Sequence, residues 1–254
     1  MAGTKQPEKA GSTTIILVGP RYPENIGASA RIAFNFGISR LIVVTDEQPD
    51  RERMLKMATH KAAHLIEGMA TYQDIEEAVA PFHFIVATTA RQGRQRLPLR
   101  NPREIMAEVA PLARGNDIAL MFGPENTGLT SKELDFCQFA STIPTIGFSS
   151  LNLAQAVAIH CYELSMAKNE PPTSPGSDAD FANIHQLEGM YGHIEQALIT
   201  TTFLGEDNSK YWMRNIRHFL SRIRISKKEA SMIRGICRKF LWHYGVSGGR
   251  EGGV

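Results

Sequence analysis

Five short apolar runs mark the first two thirds of the chain: Thr13–Val18, Leu41–Thr45, His83–Thr88, Ile118–Phe122 and Ala140–Pro144. Several are nearly continuous rather than alternating, the pattern of strands buried on both faces of a parallel sheet. Between them the apolar spacing lengthens to that of helices. Ile26–Phe36 ends at Gly37, a residue type that closes helices. Pro102–Leu112 opens on proline, whose fixed φ suits a first helical turn. Ser131–Cys137 predicts a short helix with Glu133 in its first turn. Ser150–Lys168 is the clearest helix. Leu151, Ala154, Ala158, Cys161 and Leu164 recur at helical spacing, and Ser149 or Ser150 can cap its start. Strands alternating with helices predict an α/β domain built on a parallel sheet.

Beyond Lys168 the pattern changes. Asn169–Asp178 is rich in proline and serine and reads as a linker. This divides the chain into an α/β domain over 13–168, a linker over 169–179 and a helical domain over 180–254. Helices are expected over Asp180–Phe203, Ser209–Ile223 and Lys227–His243, the last opened by a Ser226/Glu229 capping box. The polar stretch 1–12 lacks the apolar core of a signal peptide and reads as a disordered tail. The glycine-rich end after Tyr244 is expected to be mobile. No internal repeat is visible.

The chain has 254 residues, 43% hydrophobic and 21% charged, a globular balance with no apolar stretch near the roughly 20 residues that span a bilayer. Its three cysteines, Cys137, Cys161 and Cys237, are widely spaced and odd in number. They suit a reducing compartment, so a cytoplasmic protein is expected, and they suggest no metal cluster. Net charge is only +2, but the charge is unevenly placed. From Asn208 to Leu241 ten basic residues face one acid, Glu229, and from Arg91 to Arg103 there are five arginines and no acid. Clustered cations of this kind suit a nucleic-acid backbone; the plainer alternative is a solvated helix face.

Candidate chemistry sits where strands give way to helices, the place where open α/β sheets bind ligands. Asn25-Ile-Gly27 follows the first strand, and Arg31 follows in a mostly apolar stretch where its charge needs a partner. Asn25 could instead be an ordinary helix cap. Gly123-Pro-Glu125-Asn-Thr-Gly128 follows the fourth strand; it is neither a P-loop nor a dinucleotide fingerprint. Thr88-Thr89-Ala90 ends the third strand with small residues suited to a flat ligand or to a plain polar loop. His60 and His64 are four apart, but no third ligand can be named, so a metal is not expected. His160 reads as a packing residue. Tyr211-Trp212 and Phe240-Leu-Trp242 read chiefly as the core of the helical tail, with base stacking the lesser alternative.

Three of these segments together resemble the SPOUT superfamily of RNA methyltransferases, within it the TrmH family and its TrmJ branch. Asn25, Gly27 and Arg31 are similar to the first family motif. Gly123, Glu125 and Gly128 are similar to the second, and Ser149-Ser150-Leu151-Asn152-Leu-Ala to the third. The likeness runs from about Thr14 to Lys168 and continues into the tail at Tyr191–Leu198 and Ile233–Ile236. It implies a trefoil knot at the C-terminal end of the sheet, against the general rule that chains are unknotted. It also implies S-adenosylmethionine held by Thr88, Thr89, Ala90, Gly123, Ile143, Ser149, Ser150 and Leu151. Arg31, Asn25 and Ser150 would then be the catalytic residues, with Arg31, Glu125 and Asn152 toward the substrate. Pro124 departs from relatives that carry arginine there.

The implied reaction is methylation of a ribose 2′-hydroxyl by a homodimer, with tRNA favoured and a cytidine or uridine at position 32 of the anticodon loop as the target. A guanidinium does not yield its proton near neutral pH. Arg31 is therefore expected to stabilise the developing alkoxide rather than act as base. The competing readings are a ribosomal RNA methyltransferase, a non-catalytic RNA-binding protein of the same fold, and a nucleotide-dependent enzyme of ordinary Rossmann type. The last lacks its glycine fingerprint.

Overall fold

The structure, a computed structural model, describes residues 11–89, 98–146, 151–170, 180–205 and 207–244. The chain divides into two compact units, 1–178 and 179–254. In the first, the strands are β1 (Thr13–Val18), β2 (Arg40–Val44), β3 (Ala70–Tyr72), β4 (Phe84–Thr88), β5 (Leu99–Arg100), β6 (Ile118–Phe122) and β7 (Phe139–Ser141). The helices are α1 (Pro23–Asn35), α2 (Arg51–Glu67), α3 (Ile75–Val79), α4 (Pro102–Leu112), α5 (Ser131–Leu134) and α6 (Leu153–Asn169). All strands are parallel, in the order β3-β2-β1-β6-β4-β7-β5. Ile15 of β1 pairs with Leu41 on one side and Leu120 on the other, so the continuous apolar runs form the centre of the sheet. Ile15, Ile16, Leu17, Ile85, Leu120 and Met121 are fully buried there.

Two strands and two helices went unread in the sequence. β3 and β5 have three and two residues, too few to show a period. α2 buries only a narrow stripe, including Met54, Ala58 and Ala62, between charged neighbours. It is also broken at Thr59, whose φ of 61° and ψ of 170° lie outside the helical region. A β-branched residue in that conformation is strained by about 1–3 kcal/mol. The expected strand Ala140–Pro144 is Phe139–Ser141, and the expected helix Ser131–Cys137 closes at Leu134. Gly11 and Ser12, read as part of the tail, are tied to the sheet. The Gly11 N–H donates to the Arg114 carbonyl (3.0 Å), and the Ser12 hydroxyl donates to Asp117 (2.6 Å). Residues 1–10, 171–179 and 245–254 lie outside the described residues, so most of the expected tail and linker does too.

Gly27 shows what the first motif does locally. It sits in the body of α1, where glycine costs helix stability. A Cβ there would stand 2.1 Å from the Met54 carbonyl oxygen of α2. The glycine thus lets two helix backbones touch; it is not a point of ligand approach.

The second unit holds α7 (Ile184–Thr200), α8 (Ser209–Ser221) and α9 (Lys227–His243). The Ser226/Glu229 capping box opens α9 as the sequence predicts. Its core is Ala182, Met190, Tyr191, Leu204, Met213, Ile225 and Ala230. Arg217 donates to the Glu188 carboxylate, with one contact at 2.6 Å, and its guanidinium lies 4.4 Å above the Tyr191 ring. The core does not include the aromatic pairs assigned to it from sequence. Tyr211, Trp212, Phe240 and Trp242 are all exposed, and only Leu241 between the last two is buried. Their helices turn the smaller apolar residues inward instead. No helix among the described residues is long and apolar enough to cross a membrane.

Gly27→Ala is expected to destabilise the protein. Forcing Cβ into the Met54 carbonyl costs up to about 3 kcal/mol, against the ~1 kcal/mol that alanine gains in a helix. The urea midpoint should fall by the equivalent of about 2 kcal/mol; an unchanged or higher midpoint would show that the helices separate at no cost.

Candidate active site

The C-terminal ends of β4, β6 and β7 and the start of α6 enclose one cleft of about 260 Å³. Five of the residues assigned to a cofactor from sequence line it: Thr88, Thr89, Gly123, Ile143 and Leu151. Ala90, Ser149 and Ser150 lie outside the described residues. The Thr88 hydroxyl donates to the Met121 carbonyl (3.2 Å), and the Thr89 N–H donates to the Ser141 carbonyl (2.9 Å), locking β4 to both neighbours at the cleft floor. At Gly123 a Cβ would lie 2.4 Å from the Leu129 nitrogen. Only glycine lets the 123–128 loop fold back so tightly, and the Gly128 N–H closes it on the Pro124 carbonyl at 2.8 Å.

The three motifs are joined by one chain of hydrogen bonds through Asn25. Its amide NH₂ donates to Glu125 Oε1 (2.6 Å), and its carbonyl oxygen accepts from Asn152 Nδ2 (3.0 Å). Glu125 Oε2 accepts the Arg21 backbone N–H (3.0 Å). Asn152 then caps α6, accepting from the Ala154 N–H (2.9 Å) and donating its own N–H to Gln155 (3.2 Å). The helix cap is therefore Asn152, not Ser149 or Ser150. Asn25 is not a cap either. Tyr22 holds that position in α1, and Asn25 is buried with both ends of its amide engaged. Glu125 lines the cleft; Asn25 and Asn152 are not among its lining residues.

Arg31 lies on the exposed side of α1, outside the cleft lining, and makes no hydrogen bond or ion pair among the described residues. Ala28, one turn back, and Ile32, next in sequence, are half-buried. The partner that its apolar surroundings seemed to require is not supplied by the described residues of its own chain.

His160, read as packing, borders the cleft together with Ser141. Both are fully buried. Nδ1 lies 2.8 Å from the Ala156 carbonyl, which can only accept, so Nδ1 carries the hydrogen. Nε2, 2.9 Å from Ser141 Oγ, then accepts the serine proton. Burial holds the imidazole neutral, with its pKa lowered to about 4; the Ala156 carbonyl and Glu163 pull weakly the other way. The ring also meets the edge of Phe122 at 5.5 Å. The sequence signal was the position of His160 seven residues after Leu153, which puts both on the buried face of α6. His60 and His64 are exposed, and His64 packs edge-on against Phe34. Among the described residues no group of three or more His, Cys, Asp or Glu could hold a metal.

A parallel α/β sheet with three linked motifs at its C-terminal edge is the frame of an RNA methylase. Residues 12–162 match the SpoU rRNA Methylase family, and residues 185–247 match the C-terminal domain of tRNA methyltransferase TrmJ. The chain is 32% identical over 234 residues to the tRNA (cytidine/uridine/adenosine-2′-O-)-methyltransferase TrmJ of Pseudomonas aeruginosa (strain UCBPP-PA14), covering 87% of this chain and 91% of that one. It is 31% identical over 228 residues to the tRNA (cytidine/uridine-2′-O-)-methyltransferase TrmJ of Salmonella typhimurium, covering 87% and 93%. The crystal structure of TrmJ from Z. mobilis ZM4 superposes with a TM-score of 0.77 at 29% identity, covering 89% of this chain and 98% of that one. The protein belongs to the SpoU methylase family, in its TrmJ branch.

Two outcomes follow from this geometry. Asn25→Asp should destabilise more at pH 7 than Asn25→Ala, because a second carboxylate would face Glu125 where a donor is needed. Urea midpoints of the two variants decide it, and equal midpoints would remove the relay from the account. Stability should also fall as pH drops from about 6.5 to about 4. Below 6.5 the unfolded imidazole takes up a proton that the folded one refuses, so up to ~3 kcal/mol is lost across that window. His160→Leu should flatten that part of the stability–pH curve; an unchanged slope would assign it to other groups.

Proposed function

We propose that the protein acts in the cytoplasm as a homodimer that methylates a ribose 2′-hydroxyl in the tRNA anticodon loop, at the cytidine or uridine of position 32. The observation that carries this reading is the hydrogen-bonded joining of three family motifs around one cleft at the C-terminal edge of the sheet. The helical second unit favours tRNA over ribosomal RNA as substrate, since residues 185–247 match a domain of tRNA methyltransferases.

The cleft suits S-adenosylmethionine. Phe122, Ile143, Leu151 and Leu153 offer apolar walls for a flat base, while Thr88, Thr89, Asn126 and Thr127 offer polar groups for a ribose and an amino acid. When bound, that cofactor supplies an activated methyl group on a sulfonium. Ala90, Ser149 and Ser150 would complete the cofactor contacts, and Ser150 would help position the ribose. Asn25 and Asn152 hold the loops together through their hydrogen bonds, and Glu125 lines the cleft from its fixed position. The Arg31 guanidinium steadies the developing alkoxide and the neighbouring phosphate.

Arg31 is exposed and stands outside the lining of its own cleft, which suits a site completed by a second copy. Tyr162 and Met166 also stand exposed one turn apart on α6, with Ile159 half-buried in the same stripe. Apolar rows of this kind suit coverage by another subunit. The strand order likewise supports the trefoil knot. β7 lies between β4 and β5, so the Thr89–Pro98 connection begins and ends on either side of the chain that leaves Ser141. The basic run from Asn208 to Leu241 would grip the RNA backbone, making affinity steeply salt-dependent.

Arg31→Ala should lower methyl transfer from tritiated S-adenosylmethionine to tRNA by about 100-fold or more while leaving donor affinity within about twofold. Equal losses of both would take Arg31 out of the chemistry. Mass mapping of 2′-O-methyl sites in RNA from cells with and without the gene identifies the nucleotide; an unchanged methylation map would refute the assignment.

A further inference from the structure

The second unit displays two adjacent rows of side chains on one helix. On the outer face of α8, Lys210, Arg214 and Arg222 fall on one row of four-residue steps, and half-buried His218 completes it, its Nε2 accepting from the Arg222 guanidinium at 3.1 Å. Residues so spaced lie one above another. Alongside them stand rings that a folded core would normally cover: Tyr211 and Phe219 are each 62% exposed and Trp212 is 46% exposed. The inward face of α8 is already satisfied by Met213, Ile216 and Leu220 packed against the unit's core. The outer rings are therefore surplus to folding.

Protein interfaces are depleted of charge at their centres. Here cations run along the aromatic row, in a segment where ten basic residues face one acid. That combination fits a polyanion whose flat groups are accessible. A paired A-form helix hides its bases in a deep, narrow groove, whereas an unpaired strand offers them for stacking. We propose that α8 is a platform for an unpaired ribonucleotide segment: the Lys210–Arg222 row takes phosphates while Tyr211, Trp212 and Phe219 stack on bases. This rests on RNA being the substrate and names the part of it that the helical unit reads.

The test uses the full chain and two probes: a fluorescently labelled oligouridylate of about eight nucleotides and a blunt RNA duplex of similar length. Both tryptophans of the protein, Trp212 and Trp242, lie in this unit, so intrinsic fluorescence reports on it alone. Oligouridylate should quench that fluorescence and the duplex should do so weakly. Trp212→Leu combined with Phe219→Leu keeps apolar bulk but cannot stack. It should weaken single-strand binding about tenfold, read by anisotropy, with no change in the salt slope. Arg222→Gln should instead lower that slope by about one. Unweakened binding by the double leucine variant, equal competition by the duplex, or a shift of that variant from dimer to monomer in sedimentation would each overturn the platform. Methyl transfer to tRNA is measured on the same wild-type preparation. Transfer without discrimination between the probes sinks only this inference, and discrimination without transfer sinks only the proposed reaction.

Discussion

A primary amide has one end that gives a hydrogen bond and one that takes it, and the site depends on that asymmetry at Asn25. Glu125 brings only acceptors, and Asn152 directs its NH₂ outward while its own oxygen holds the end of α6. A group between them must donate one way and accept the other. Buried and held by α1, Asn25 does both. Segments 100 and 127 residues apart are thereby fixed against one another without any charge pair. Since an unmet polar group in such a place costs about 1–3 kcal/mol, the three loops are stable together or not at all.

The floor of the cleft follows the same economy. The buried imidazole of His160 is fixed in one tautomer by a backbone carbonyl below it and a serine hydroxyl beside it. It stays uncharged across physiological pH, so it adds no repulsion toward a cationic ligand above it. Glycine contributes by what it omits: at 123 it lets a loop fold onto itself, and at 27 it lets two helices meet at backbone distance.

The sheet's centre was legible in the sequence because its strands are buried on both faces and read as apolar runs. The helix starts at Pro102 and Lys227 were legible because caps follow local chemistry. β3 and β5 were not, because strands of two or three residues carry no period and exist through their neighbours. At the site, the residues around the cleft could be named from motifs, but their linkage could not. Asn25 could be read as a site residue or as a cap, because caps and relays use the same residue type, and only tertiary structure chooses between them. The exposed rings of α8 were misjudged for a related reason: aromatic residues usually signal a core, and sequence alone does not reveal that a smaller set already fills it.

The strand order has a consequence for how the molecule comes to be made. β7 occupies a slot whose two walls, β4 and β5, leave the ribosome roughly fifty and forty residues before it. Those walls cannot pair with each other first without shutting out the late arrival. The nascent chain must therefore keep that edge of the sheet ajar, with unsatisfied backbone exposed, until residue 141 emerges. Slow maturation and a need for protection from aggregation during synthesis follow directly from the topology.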